Sequence, residues 1–176
     1  MIYRSDEAEK KALISTAEKM CVAARTAPKG KGIDNIVTAI LTDNDKEKLA
    51  EKMEEIAERE NVGFFARDAE NVRQASVIVL IGTKLKSRGV PYCGFCGFEN
   101  CEGKNQNGGI CAFDVGDLGI AIGSAVSISA NDRADNRIMF SAGKAAIELN
   151  LLGEDVEIVY GIPLSAKGKN IFFDRK

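Results

Sequence analysis

Apolar positions near the N-terminus recur every three or four residues. Leu13, Ala17, Met20, Cys21 and Ala24 share one helical face, which predicts a helix over 5–24 opened by Ser5, with Glu7 and Glu9 in its first turn. Pro28 and the glycines of "TAPKGKG" end it, and "IVTAIL" then reads as a short strand. Asp43 or Asp45 caps a second helix running to about Glu60, with Leu49, Met53, Ile56 and Ala57 facing inward. A short helix near 69–75 leads into "SVIVLIG", a β-branched run without a polar break that predicts a strand covered on both faces.

Periodicity disappears over 83–113 and returns in "DVGDLGIAIGSAVSISAN", which predicts a helix lined by small residues. Gly119, Gly123 and Ser127 stand four apart on it, a face that another backbone can approach closely. Asp135 or Asn136 opens a further helix to Asn150, capped by Gly153. "VEIVYGIPL" is the last strand, and "AKGKNIFFDRK" is a tail. Helices interleaved with strands predict an α/β (α+β layered) domain over 1–176, with 83–113 as an inserted loop.

Composition narrows the function. A chain of 176 residues with 45% hydrophobic residues can bury one substantial core. Lys+Arg 24 against Asp+Glu 26 leaves a net charge of -2, so no global basic field points to nucleic acid. The N-terminal "MIYRSDEAEKKALIS" has no apolar signal core and no run approaches 18 apolar residues, so the expectation is a cytoplasmic protein without a membrane span. With His 0, a Ser/His/Asp arrangement is impossible, and no carboxylate pair stands out.

The inserted loop carries the chemistry. Four of the five cysteines, Cys93, Cys96, Cys101 and Cys111, fall there at the spacing C-x2-C-x4-C-x9-C. In a reducing compartment such a cluster signals metal ligation before it signals disulfides. Four thiolates can enclose an iron–sulfur cluster or a tetrahedral zinc ion. A zinc site more often pairs two CxxC units, and one is present here; the spacing also departs from the commonest ferredoxin patterns. A redox dithiol at Cys93–Cys96 and inert thiols are the remaining readings. Glycines let the backbone fold around the sulfurs, and Phe95, Phe98 and Phe113 are placed to exclude water. Cys21 lies on the apolar face of the first helix and reads as core.

Two basic loops are the other candidates. "RTAPKGKG" offers a guanidinium and two ammonium groups beside glycines, the makings of an anion site, and "SAKGKN" repeats the idea with Lys167 and Lys169. Solvated turns are the plainer reading of both. In "NDRADNR", Asp135 and Arg137 are candidates for substrate contact, against a helix start with solvated charges.

The segments "CGFCGFENCEGK…GGICAFDVGDLGIAIGSA", "ADNRIMFSAGKAA" and "GIPLSAKGKNIFFDR" resemble a family of prokaryotic ferredoxin-domain-containing proteins of unassigned function. That resemblance implies an iron–sulfur protein, with the four cysteines holding a cluster of the four-iron type. "AARTAPKGKGIDNIVTAILTDNDKEKLAEKM" and "DLGIAIGSAVSISA" are similar to nitroreductase-like flavoproteins, in order of elements and in a long central helix at a dimer interface. This second likeness implies a central sheet flanked by helices, a homodimer, and FMN with its phosphate at Arg25, Lys29 and Lys31. Lys29 stands where those proteins have a serine after the proline, and the asparagine and tryptophan that normally follow are missing. Together these imply electron transfer between the cluster and a flavin or an external redox partner. A non-catalytic module stapled by zinc or a cluster is the rival expectation.

Overall fold

The computed structural model describes residues 2–173. Helix α1, Ser5–Thr26, leads through a single 3-10 turn at Gly30–Gly32 to strand β1, Ile36–Leu41. Helices α2, Asp43–Arg59, and α3, Gly63–Gln74, follow, then strand β2, Val77–Thr83. The cysteine segment contains a short helix α4, Cys101–Gln106, and runs into α5, Ala112–Asn131. Strand β3, Asp135–Asn136, helix α6, Phe140–Glu148, and strand β4, Ile158–Ser165, complete the domain.

The four strands form an antiparallel sheet in the order β1-β2-β4-β3. Every residue of β2 is buried. The period-2 pleat explains how: Ile78 and Leu80 join Leu49, Met53, Phe65 and Val72 beneath α2, α3 and α6, while Val77, Val79 and Ile81 join Met20, Leu118 and Ile162 beneath α1 and α5. Helices on both faces thus give an antiparallel strand the unbroken apolar run typical of parallel sheets.

Two expectations are corrected. The predicted helix start at Asp135 or Asn136 is instead β3, pairing with Ser165 and Leu164. The Asn136 amide donates to Ser129 Oγ (3.1 Å) instead of capping, and the chain follows β4 until Met139 bridges Gly161, so α6 starts at Phe140. Helix α6 also ends earlier, without Gly153. Asn150 takes the left-handed conformation (φ 52°), and its N–H and that of Leu151 donate to the Ile147 and Ala146 carbonyls, a Schellman closure. The small-residue face of α5 turns away from α1. Leu118, Ala121 and Ala125 make the buried contact, and Ser124 Oγ donates to the Ala23 carbonyl (3.1 Å). A Cβ at Gly119 or Gly123 would meet nothing within 4 Å. Helix α5 is long and apolar enough to cross a membrane by length and composition; here it carries two buried aspartates and packs on α1.

Candidate cluster site

The cysteine segment is anchored by charge before it reaches its first thiol. Arg88 is 2% exposed, and its guanidinium pairs with Asp114 (2.8 Å) and Asp117 (2.9 Å) on the first turns of α5. Asp114 also accepts from the Lys86 N–H (2.8 Å), and Asp117 from the Gly30 N–H (3.0 Å). One buried arginine and two aspartates therefore tie the start of the segment, the start of α5 and the Gly30–Gly32 turn together. Burial pushes the Asp114 carboxyl upward in pKa, and the charge of Arg88 opposes that shift. Asp114 and Asp117, three apart on an otherwise uncharged helix, were the available sequence signal for this carboxylate pair.

Beyond Arg88 the backbone turns sharply. Tyr92, Gly94 and Gly97 all have positive φ, which sets Cys93 and Cys96 on consecutive tight turns. Cys101 is the first residue of α4, where the Asn100 side chain accepts the Gly103 N–H (2.9 Å). Cys111 is the N-cap residue of α5, and its carbonyl accepts the Asp114 N–H (3.0 Å). The four cysteines reach the wall of one cavity of about 350 Å³, together with Lys104 and Phe113. Cys111 is buried and the other three are half-buried. Among the described residues, no three Cys, Asp or Glu side chains converge on a single ion position. Phe98 and Phe113 shield the cavity, whereas Phe95 is 77% exposed and stacks on Phe113 from outside (6.0 Å).

The donor set has the chemistry of a sulfur-ligated group. It consists of four thiols lining one space, two from a glycine-rich turn segment and two from the starts of α4 and α5, with no histidine. Cys21 lies apart, half-buried against the α1–α5 core. Burial raises its thiol pKa and Thr38 works against that.

The basic loop is less open than its sequence suggests. Arg25 Nη1 donates to Asp34 Oδ2 (2.6 Å) and to the Ile36 carbonyl (2.8 Å). The Lys29 ammonium turns back onto the Ala24 and Arg25 carbonyls at the end of α1 and lies 3.7 Å from Asp34. Lys31, at φ 56°, reaches the Gly89 carbonyl (3.3 Å). All three cations thus already meet groups of the protein itself, and Asp34 pairs with two of them. Burial would raise the Asp34 pKa, but Arg25, the Ile36 N–H and Lys29 together hold it below the usual carboxylate range. Arg137 donates to the Phe172 carbonyl (3.2 Å) and lies over Phe173, tethering the tail, and Lys167 and Lys169 are exposed.

An uncharacterized protein of Archaeoglobus fulgidus is 46% identical over 164 residues, covering 89% of this chain and 88% of that relative. Residues 107–175 match the family of uncharacterized proteins containing a ferredoxin domain (DUF2148). The chain belongs to this family. Cys111 lies within the segment that defines DUF2148 here, and the other three ligand candidates precede it.

Solved structures share the fold of this DUF2148 protein. An oxidoreductase containing FMN superposes with a TM-score of 0.59 at 13% identity, over 88% of this chain and 67% of that one. A BluB-like flavoprotein from Clostridium difficile 630 gives 0.56 at 20% identity, over 92% and 84%. An FMN- and NADPH-dependent nitroreductase from sphigopyxis sp. strain HMH gives 0.57 at 12%, over 88% and 78%. The fold is nitroreductase-like.

Proposed function

We propose that this DUF2148 protein is an iron–sulfur redox protein in which Cys93, Cys96, Cys101 and Cys111 hold one cluster of the four-iron type. The observation that carries the proposal is the delivery of all four thiols to one cavity of about 350 Å³. The match to a ferredoxin-domain family favours a cluster over the zinc alternative. When bound, the cluster supplies a reversible one-electron couple. The protein's residues supply the rest: four thiolates as ligands, Phe98 and Phe113 against water, and the Arg88–Asp114–Asp117 anchor that fixes the loop ends. A cluster held by these four cysteines would exchange single electrons with a flavin or an external acceptor. A reducing cytoplasm suits five free thiols.

Support for FMN comes from the shared fold, and Arg25, Lys29 and Lys31 are the residues that would meet its phosphate. Arg25 must then exchange Asp34 for the phosphate, so flavin binding depends on opening that ion pair. A second copy of the chain is the proposed partner for the outer face of α5, where Val115 and Ile120 are about half exposed beside Gly119 and Gly123.

Anaerobic purification followed by absorption spectroscopy and assays of iron, zinc and acid-labile sulfide tests the proposal. Broad visible absorption that bleaches with dithionite, with iron equal to sulfide, is the expected result. Resolved flavin bands in the same spectrum would add FMN. A colourless protein with one zinc per chain would replace electron transfer by a structural module.

A further inference from the structure

One cation on the cavity wall lacks the counter-charge that the others have. Lys104 is 8% exposed and lines the same cavity as the four cysteines. It sits three residues after Cys101, so α4 brings thiol and ammonium to the same side. Its stem is held firmly. The Lys104 carbonyl accepts the Gly109 N–H (2.9 Å), and any side chain at Gly109 would press on Phe98 (2.5 Å) and on Lys104 Cγ (3.0 Å).

The buried Arg88 and the half-buried Lys46 and Lys29 all have partners. Arg88 meets two carboxylates, Lys46 donates to three carbonyls at the end of α3, and Lys29 meets two carbonyls and Asp34. Among the described residues, no carboxylate or carbonyl receives the Lys104 ammonium. Its field reaches Asp114, but that carboxylate is already engaged by Arg88. The residue is largely buried while its ammonium keeps contact with solvent, so an anion entering the cavity would meet a cation that has no carboxylate partner of its own.

We infer that Lys104 is the counter-ion of the sulfur-ligated cluster and sets its reduction potential. This rests on the cluster reading above. Four thiolates bring excess negative charge to the cavity, and each electron added increases it, so an ammonium carried by a wall residue stabilises the reduced state more than the oxidised one. Lys104 is a positioning residue for charge and ligates nothing itself.

The test compares wild type, Lys104→Met and Lys104→Arg in the full chain, reconstituted anaerobically, by iron and sulfide content and by redox titration. Lys104→Met, similar in stem and uncharged, is expected to keep iron and sulfide and to disfavour reduction at least tenfold. For a one-electron couple that is a fall of about 59 mV in midpoint. Lys104→Arg is expected to stay near wild type. An unchanged midpoint in a fully loaded Lys104→Met variant would overturn the inference while leaving the cluster reading intact. If Lys104→Met cannot hold a cluster, Lys104→Arg decides: loading there supports the charge role, and failure there shows that the side chain serves packing alone. A wild-type protein without iron and sulfide would remove both readings together.

Discussion

Arg88 shows what one residue must do for this site to exist. Its guanidinium answers two carboxylates, one of them fully buried, so removing it strands both. Arg88→Leu is expected to cost about 3–5 kcal/mol, read as a lower midpoint in urea unfolding. Arg88→Lys should recover part of that, because one ammonium cannot reproduce the two-sided grip. An Arg88→Leu variant as stable as wild type would mean that the aspartates are protonated or hydrated without it. The pair Asp114–Asp117 did not stand out in the sequence, and its partner lies 29 residues from Asp117, a contact that nothing in the local pattern announces. The same holds for Asp34. Its pairing with Arg25 and Lys29 spans only a turn, yet the loop reads as an open anion site until side-chain directions are known. Because its folded-state pKa is lowered, the stability Asp34 contributes is present above the ordinary aspartate pKa, about 3.9. It is lost as pH falls through the folded value. Asp34→Asn should lower stability at pH 7 and flatten the acid limb of a stability-versus-pH curve.

At the scale of elements, the long periodic segments were legible. Helices α1, α2 and α5 and strands β1, β2 and β4 follow from spacing, because each buries one face or, for β2, both. Strand β3 was not legible: two residues carry no periodicity, and only the open edge of β4 makes them a strand. The outward turn of Gly119 and Gly123 was equally hidden, since a small-residue face reads the same whether it receives α1 or a second chain. That face gives a separable prediction. Gly119→Ala and Gly123→Ala place a methyl in open space within a helix interior, where alanine is favoured by up to about 1 kcal/mol per site. The variants should unfold at higher temperature and, if α5 meets a second copy, dissociate at higher protein concentration in sedimentation. Gly143→Ala is the contrasting case. Its Cβ would lie 1.7 Å from the Val159 carbonyl oxygen, where only backbone shift could relieve the clash, so α6 should lose its seat on β4 and thermal stability should fall sharply.

For the whole molecule, the decisive feature is that the two cores and the cysteine cavity are separate. Both faces of the sheet are packed by residues of α1, α2, α3, α5 and α6, and none of Cys93, Cys96, Cys101 or Cys111 belongs to either core. The segment from residue 84 to the start of α5 has little apolar material of its own: Tyr92, Phe95 and Ile110 face outward, and order there rests on the Arg88 anchor, short turns and a six-residue helix. Ligation by four thiolates would join those turns into one unit, so metal binding and local folding should be coupled in this segment alone. Chelation, or Cys101→Ala, is therefore expected to expose bonds within 84–113 to protease while the far-ultraviolet circular dichroism of the sheet and its helices stays near wild type. Mass analysis of the fragments locates the cuts, and Cys21→Ala serves as the control thiol outside the cavity. Cuts spread through β2 or β4 would mean that the site supports the global fold. A metal-free protein as resistant over 84–113 as the loaded one would show that the anchor and turns alone hold the loop, and the ligation proposal would lose its structural basis.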